Sequence, residues 1–241
     1  MAKEKTGDVE AALRDYSETL RLCPSHAEAL NNRGILKRSK SQFGEAVEDF
    51  NKALESEPSN PTFLYNRALA LEAKGDLLGA LRDYTKAFNL RPREGRFLTN
   101  RGAVRQAMGD LEGAIRDYSV AAGLLPGHPF PLLNRANARY QQGDMEGALA
   151  DLDYVLAQRP GDARALHRRG CVKERLGDIS GAMDDFDEAL RVNPRMEEAA
   201  VSRKEITQSV RGKLWLLSER RKGTRRRDDQ SGRTSSGPFT S

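Results

Sequence analysis

The sequence is poor in the residues that build most chemical sites. Its 241 residues include only two cysteines, three histidines and one tryptophan, and aromatics make up 6%. Cys23 and Cys171 stand far apart, which excludes a disulfide framework and points to a reducing compartment, the cytosol. His26, His128 and His167 are scattered, and no CxxC, HExxH, GxSxG or phosphate-cradling glycine loop is present. The chain therefore reads as no enzyme, with no cofactor, no metal ligand set and no small-molecule substrate. No apolar run approaches the roughly 18 residues a membrane span needs. The opening MAKEKTGDVE also lacks the apolar stretch of a signal peptide.

What is present is repetition. Six of the ten prolines (Pro24, Pro58, Pro92, Pro126, Pro160 and Pro194) recur every 34 residues without an insertion. Gly-Asp keeps the same register at Gly7-Asp8, Gly75-Asp76, Gly109-Asp110, Gly143-Asp144 and Gly177-Asp178, and only Ser41-Gln42 departs. Within one period, apolar residues follow helical spacing from Phe97 to Met108 and again from Leu111 to Leu125. Gly109-Asp110 breaks the run and Pro126 ends it, so the period reads as helix, tight turn, helix, stop. Such a unit stacks into a solenoid.

Counting positions from Ala27, Pro61, Gly95, Pro129 and Ala163, small residues fill position 8 (Gly34, Ala68, Gly102, Ala136, Gly170). Alanine fills position 20, and position 24 is large (Phe50, Tyr84, Tyr118, Leu152, Phe186). Small residues let two helix backbones approach, and the large one fills the groove beside them. In these positions residues 7–194 resemble the tetratricopeptide repeat family. Two departures stand out: leucine replaces the family's tryptophan at position 4, and Lys37, Leu71, Arg105, Arg139 and Lys173 replace its usual tyrosine at position 11. The resemblance implies an all-α, right-handed superhelical solenoid of antiparallel helix pairs that binds protein segments.

The frame divides the chain. Residues 1–26 hold a second helix of a truncated repeat, spanning 8–22, whose unpaired face turns Val9, Leu13 and Leu20 to water. Five repeats follow at 27–60, 61–94, 95–128, 129–162 and 163–196. Residues 197–217 form a capping helix, and 218–241, rich in Ser, Gly and Arg, form a disordered basic tail. From Gly212 on, eight lysines and arginines face three acids, which accounts for the whole formal charge of +5. The repeats are neutral, a poor footprint for nucleic acid. The clusters Arg220-Arg221-Lys222 and Arg225-Arg226-Arg227 suit nuclear import, nucleic acid or an acidic surface, or no partner at all.

Two ladders run through the repeats. Arginine holds position 7 (Arg33, Arg67, Arg101, Arg135, Arg169), and aspartate holds position 23 (Asp49, Asp83, Asp117, Asp151, Asp185). Five arginines on the buried side of a helix need partners, so the two rows read as structural pairs rather than a basic groove. Asparagine holds position 6 at Asn32, Asn66, Asn100 and Asn134, with Arg168 ending the row. In the family, positions 2, 5, 6, 9 and 12 of first helices line a concave groove. Here these include Tyr65, Phe130, Asn137, Tyr140, Arg164 and His167. An amide presents donors and an acceptor, enough to hold an extended peptide backbone. The plain alternative is that Asn at position 6 is a habit of the repeat.

The resemblance thus implies a scaffold that binds an extended segment of a protein partner, acidic or C-terminal in character because Arg164, His167 and Arg168 gather positive charge. Family members that clamp a chaperone's C-terminal carboxylate need a lysine and an asparagine where this chain has Thr99 and Ala103. Only Asn134, Arg164 and Arg168 fit that clamp, which makes a chaperone co-factor the second reading. Binding of nucleic acid or an acidic surface through the tail is the third.

Overall fold

The structure, a computed structural model, describes residues 2–209, with side chains from residue 9 onward. It contains α1 (Ala2–Leu22), α2 (Ala27–Ser39), α3 (Phe43–Ser56), α4 (Pro61–Lys74), α5 (Leu77–Leu90), α6 (Gly95–Ala107), α7 (Leu111–Leu124), α8 (Pro129–Gln142), α9 (Met145–Gln158), α10 (Ala163–Leu176) and α11 (Ile179–Val192). A further helix, α12, occupies 197–209. No strand occurs among the described residues, and no helix there is long and apolar enough to cross a membrane. Residues 210–217 of the expected capping helix, and the whole basic tail, lie outside the described residues.

The turns follow from local chemistry. Gly75, Gly109, Gly143 and Gly177 end their first helices with φ of 91°, 84°, 93° and 88°, a region that costs L-residues a Cβ clash. Ser41 takes the same place with φ 61°, so the one departure from Gly-Asp bends the chain the same way under more strain. The aspartate that follows caps the second helix: Asp76, Asp110, Asp144 and Asp178 accept from the amides of Gly79, Gly113, Gly147 and Gly181 at 2.8–2.9 Å. Gln42 makes no such cap. Each second helix stops two residues before its proline, because a residue preceding proline is pushed out of the helical region.

The chain forms two compact units, Met1–Gln158 and Arg159–Ser241. In the first, each first helix packs on the second helix of its repeat, and that helix packs on the next repeat's first. The interior is a ribbon of alanines at position 20 with Phe50, Tyr84 and Tyr118 laid against Gly34, Ala68 and Gly102, all buried. A Cβ on Gly102 would lie 2.7 Å from the Tyr118 ring, so close approach demands a small residue there. In the second unit, α10 and α11 pair in the same way, and α12 adds Ile206 to Ala182 and Phe186.

The structure corrects the expectation at the amino end. α1 begins at Ala2, so Gly7-Asp8 lies inside a helix and breaks nothing. A glycine inside a helix costs only about 1 kcal/mol, and the hydrogen bonds that continue past it outweigh that. Leu20 is buried with Leu30, Leu54 and Phe63 rather than turned to water, and Val9 and Leu13 are half-buried.

Candidate functional site

Within every repeat, Arg at position 7 grips Asp at position 23 with two parallel hydrogen bonds. Arg101 Nε and Nη2 donate to Asp117 Oδ2 and Oδ1 at 2.8 and 2.7 Å. Arg33–Asp49, Arg67–Asp83, Arg135–Asp151 and Arg169–Asp185 repeat this at 2.5–2.9 Å. These fork-shaped pairs suit the planar guanidinium, and the aspartates are only 2–4% exposed. The hydrogen bond to Asp49 raises the pKa of Arg33, and that to Asp151 raises Arg135. The third nitrogen, Nη1, reaches back to the preceding repeat's second helix: Arg67 to Asn51 at 2.9 Å, Arg101 to Thr85 at 3.3 Å and Arg135 to Ser119 at 3.0 Å. Each of these arginines ties three helices and presents no open basic groove.

Sequence reasoning missed a second cation on most rungs. Lys37, Arg105, Arg139 and Lys173, the residues that replace tyrosine at position 11, lie 2.8–3.0 Å from Asp49, Asp117, Asp151 and Asp185. The signal was a cation one helical turn after four of the five arginines, on the same face.

The asparagine row is a structural element over much of its length. Asn66, 8% exposed, donates from Nδ2 to Asn31 Oδ1 at 2.8 Å, and Asn31 in turn donates to Asn32 at 3.2 Å. Asn100 donates to the Tyr65 hydroxyl at 2.8 Å. The Tyr65 ring packs against Phe97 at 5.2 Å and lies under the Arg96 guanidinium at 5.1 Å. Position 6 thus bonds position 5 of the preceding repeat, which corrects the picture of an open row of amides.

The face stays open on α8. Asn134 and Asn137, both half-buried, have no hydrogen-bond partner among the described residues, and Phe130 beside them is 44% exposed. Phe130 stacks on His128 at 5.5 Å, and Tyr140 is half-buried one turn beyond Asn137. On α2, Arg38 Nε is a buried donor without a partner among the described residues.

In the second unit, Arg164 is exposed and Arg168 half-buried. Arg164 and Arg195 line a cavity of about 440 Å³, but Asp162 and Glu198 line it too. His167 does not extend the positive charge. Burial lowers its pKa, and its Nε2 lies 3.2 Å from Ser202 Oγ on α12. The same Nε2 is 3.5 Å from Cys171 Sγ, whose pKa burial raises. These residues line a cavity of about 680 Å³ with Arg195, Glu197, Glu198 and Val201. Among the described residues, no three His, Cys, Asp or Glu side chains gather to hold a metal ion.

Residues 34–75 match a family model described as TPR repeat, and residues 133–197 match one described as tetratricopeptide repeat. No curated protein matches the chain. Solved structures share the fold. A tetratricopeptide repeat protein from Parabacteroides merdae ATCC 43184 superposes with a TM-score of 0.74 at 21% identity, over 85% of this chain and 81% of that one. YrrB, described as a TPR protein with an unusual peptide-binding site, gives 0.63 at 20% identity over 78% and 97%. MamA from Desulfovibrio magneticus RS-1 gives 0.65 at 18% over 70% and 96%.

Proposed function

As the chain belongs to the tetratricopeptide repeat family, we propose that it is a non-catalytic interaction scaffold that holds an extended segment of a partner protein on its first helices. The observation that carries this reading is the pair of amides on α8, Asn134 and Asn137, that have no hydrogen-bond partner among the described residues and stand beside Phe130 and Tyr140. Two amides about one turn apart offer a backbone its donors and acceptors, while the two rings offer flat apolar surface at low entropic cost. The earlier members of the row, Asn66 and Asn100, instead hold neighbouring repeats together. YrrB, which shares the fold, is described as having a peptide-binding site, and that supports the assignment of class.

An internal segment fits better than a free carboxyl terminus, because Thr99 and Ala103 stand where a carboxylate clamp needs a cation and an amide. Within the second unit by itself, Arg164 offers positive charge to an acidic stretch, tempered there by Asp162 and Glu198. Losing one amide contact costs about 1 kcal/mol, so Asn134→Ala with Asn137→Ala weakens capture of partners from lysate by about tenfold or more. The melting temperature stays nearly unchanged, since neither amide has a hydrogen bond to lose among the described residues. Undiminished capture by the double variant would place the partner elsewhere and overturn the proposal.

A further inference from the structure

We propose that α12 of one copy of this chain docks on α1 of a second copy, so that copies join head to tail. On α1, Ala12, Asp15, Tyr16 and Thr19 hold positions 20, 23, 24 and 27 of the repeat frame. In all five full repeats the residues at these positions are buried. Here Ala12, Tyr16 and Thr19 are only half-buried, and Asp15 is exposed. The five counterparts of Asp15 each lie in an arginine fork. The Asp15 carboxylate makes no hydrogen bond or ion pair among the described residues. α1 thus carries the second-helix face of a repeat, uncovered.

α12 carries the complementary face. In the same frame Ala200, Arg203 and Lys204 hold positions 4, 7 and 8, and all three are exposed. Arg203 Nε donates to Asp187 at position 25 of the preceding repeat, as Arg67, Arg101 and Arg135 reach back to Asn51, Thr85 and Ser119. What Arg203 lacks among the described residues is a carboxylate at position 23. One face therefore holds an aspartate without its arginine, and the other an arginine without its aspartate. The residues that follow α12 suit it less well: Glu219 falls at position 23, but Leu216 stands at 20 and Arg220 at 24, against Ala12 and Tyr16 on α1. Close approach of two helices needs a small residue at 20, and a large apolar one at 24 fills the groove. Lys204 replaces the glycine or alanine of the full repeats at position 8, which makes the joint looser than an internal one. Such a contact is heterologous and leaves one free face at each end, so it extends beyond two copies.

Analytical ultracentrifugation of the full chain over a wide concentration range tests this. Expected is an average mass that climbs with concentration. Asp15→Arg sets two cations against each other across the joint, and Arg203→Asp sets two acids against each other. Either raises the dissociation constant by more than about tenfold, because like charges face each other at the contact. The melting temperature stays nearly unchanged, since both residues are exposed. Mixing the two variants restores assembly, because each supplies the charge that the other has reversed, and a misfolded variant could not do so. A single copy at every concentration of the unaltered chain would overturn the proposal and leave the α12 face to Glu219 or to solvent. Assembly that survived both reversals, or a mixture that stayed monomeric, would overturn it too. Neither Asn134 nor Asn137 enters this contact, so its failure and that of partner capture on α8 are separate results.

Discussion

Repeat two and repeat three solve one problem in two ways. Both bury an aspartate under an arginine fork, Asp83 under Arg67 and Asp117 under Arg101. Repeat three adds Arg105, 2.8 Å from Asp117, and so places two guanidinium groups on one carboxylate. Repeat two has Leu71 instead, which packs with Tyr84 and Val104. The hydroxyl of the position-24 tyrosine also differs in its acceptor. Tyr84 donates to the Glu72 carboxylate at 2.8 Å, and Tyr118 donates to the Gln106 amide at 3.1 Å. The rung's formal charge therefore differs by two units between repeats of the same backbone, one from Leu71 against Arg105 and one from Glu72 against Gln106. The repeat frame demands the Arg–Asp fork and a large residue at 24; what surrounds them is negotiable.

The largest effect comes from removing the carboxylate. Asp117→Ala leaves Arg101 and Arg105, with side chains 13% and 26% exposed, facing each other with only the more distant Asp110, 3.7 Å from Arg105, as an anion. Stability measured by denaturant falls by about 4 kcal/mol, the range for stranding a buried charge. Asp83→Ala strands only Arg67, which is 25% exposed and keeps its bond to Asn51, so it costs about 1 kcal/mol less. Equal losses would mean that the second cation carries no weight.

The arginine side reverses the ranking. Arg67→Ala leaves Asp83 without any cation and costs about 3 kcal/mol. Arg101→Ala leaves Asp117 with Arg105 and costs about 2 kcal/mol by the same reasoning, even though the sequence alone would rank the two alike. A double variant, Arg101→Ala with Arg105→Leu, should bring repeat three down to the loss seen in repeat two. If it does not, the two arginines act independently of Asp117.

The smallest effect concerns Glu72. Burial is the first cause of its raised pKa, ahead of the opposing bond from Tyr84. A carboxyl whose folded pKa is raised contributes stability below its unfolded pKa, about 4.3, and loses that contribution as pH rises through the folded value. Glu72→Gln, which copies Gln106, therefore raises stability at pH 7, as measured by denaturant. The gain disappears below about pH 4. A gain that persisted in acid would show that the change acts through packing, not charge.

Much of this was legible in residue spacing. The proline register and Gly-Asp turns located helices α2 to α11 to within a residue or two, because each helix start and stop is set by a neighbour in sequence: a left-handed glycine, an aspartate cap, a proline stop. The Arg–Asp fork was legible for the same reason, since positions 7 and 23 lie on the two helices of one repeat and recur without exception. Position 11 was visible only as a departure from family habit. That Lys37 or Arg105 turns toward the aspartate depends on how the two helices cross.

What tertiary structure alone decided is which polar groups are already taken. Asn66 bonds Asn31, Asn100 bonds Tyr65 and His167 contacts Ser202, each across 35 residues. A contact across 35 residues in a 34-residue frame joins first helices of successive repeats, and its length depends on their spacing and tilt, which no local pattern encodes. The sequence determined that an amide recurs at position 6. Only the stacking of one first helix against the next determined that Asn66 and Asn100 are committed to their neighbours while Asn134 is left open. A hydrogen bond forms only when both partners lie within about 3 Å, and that distance is set by packing.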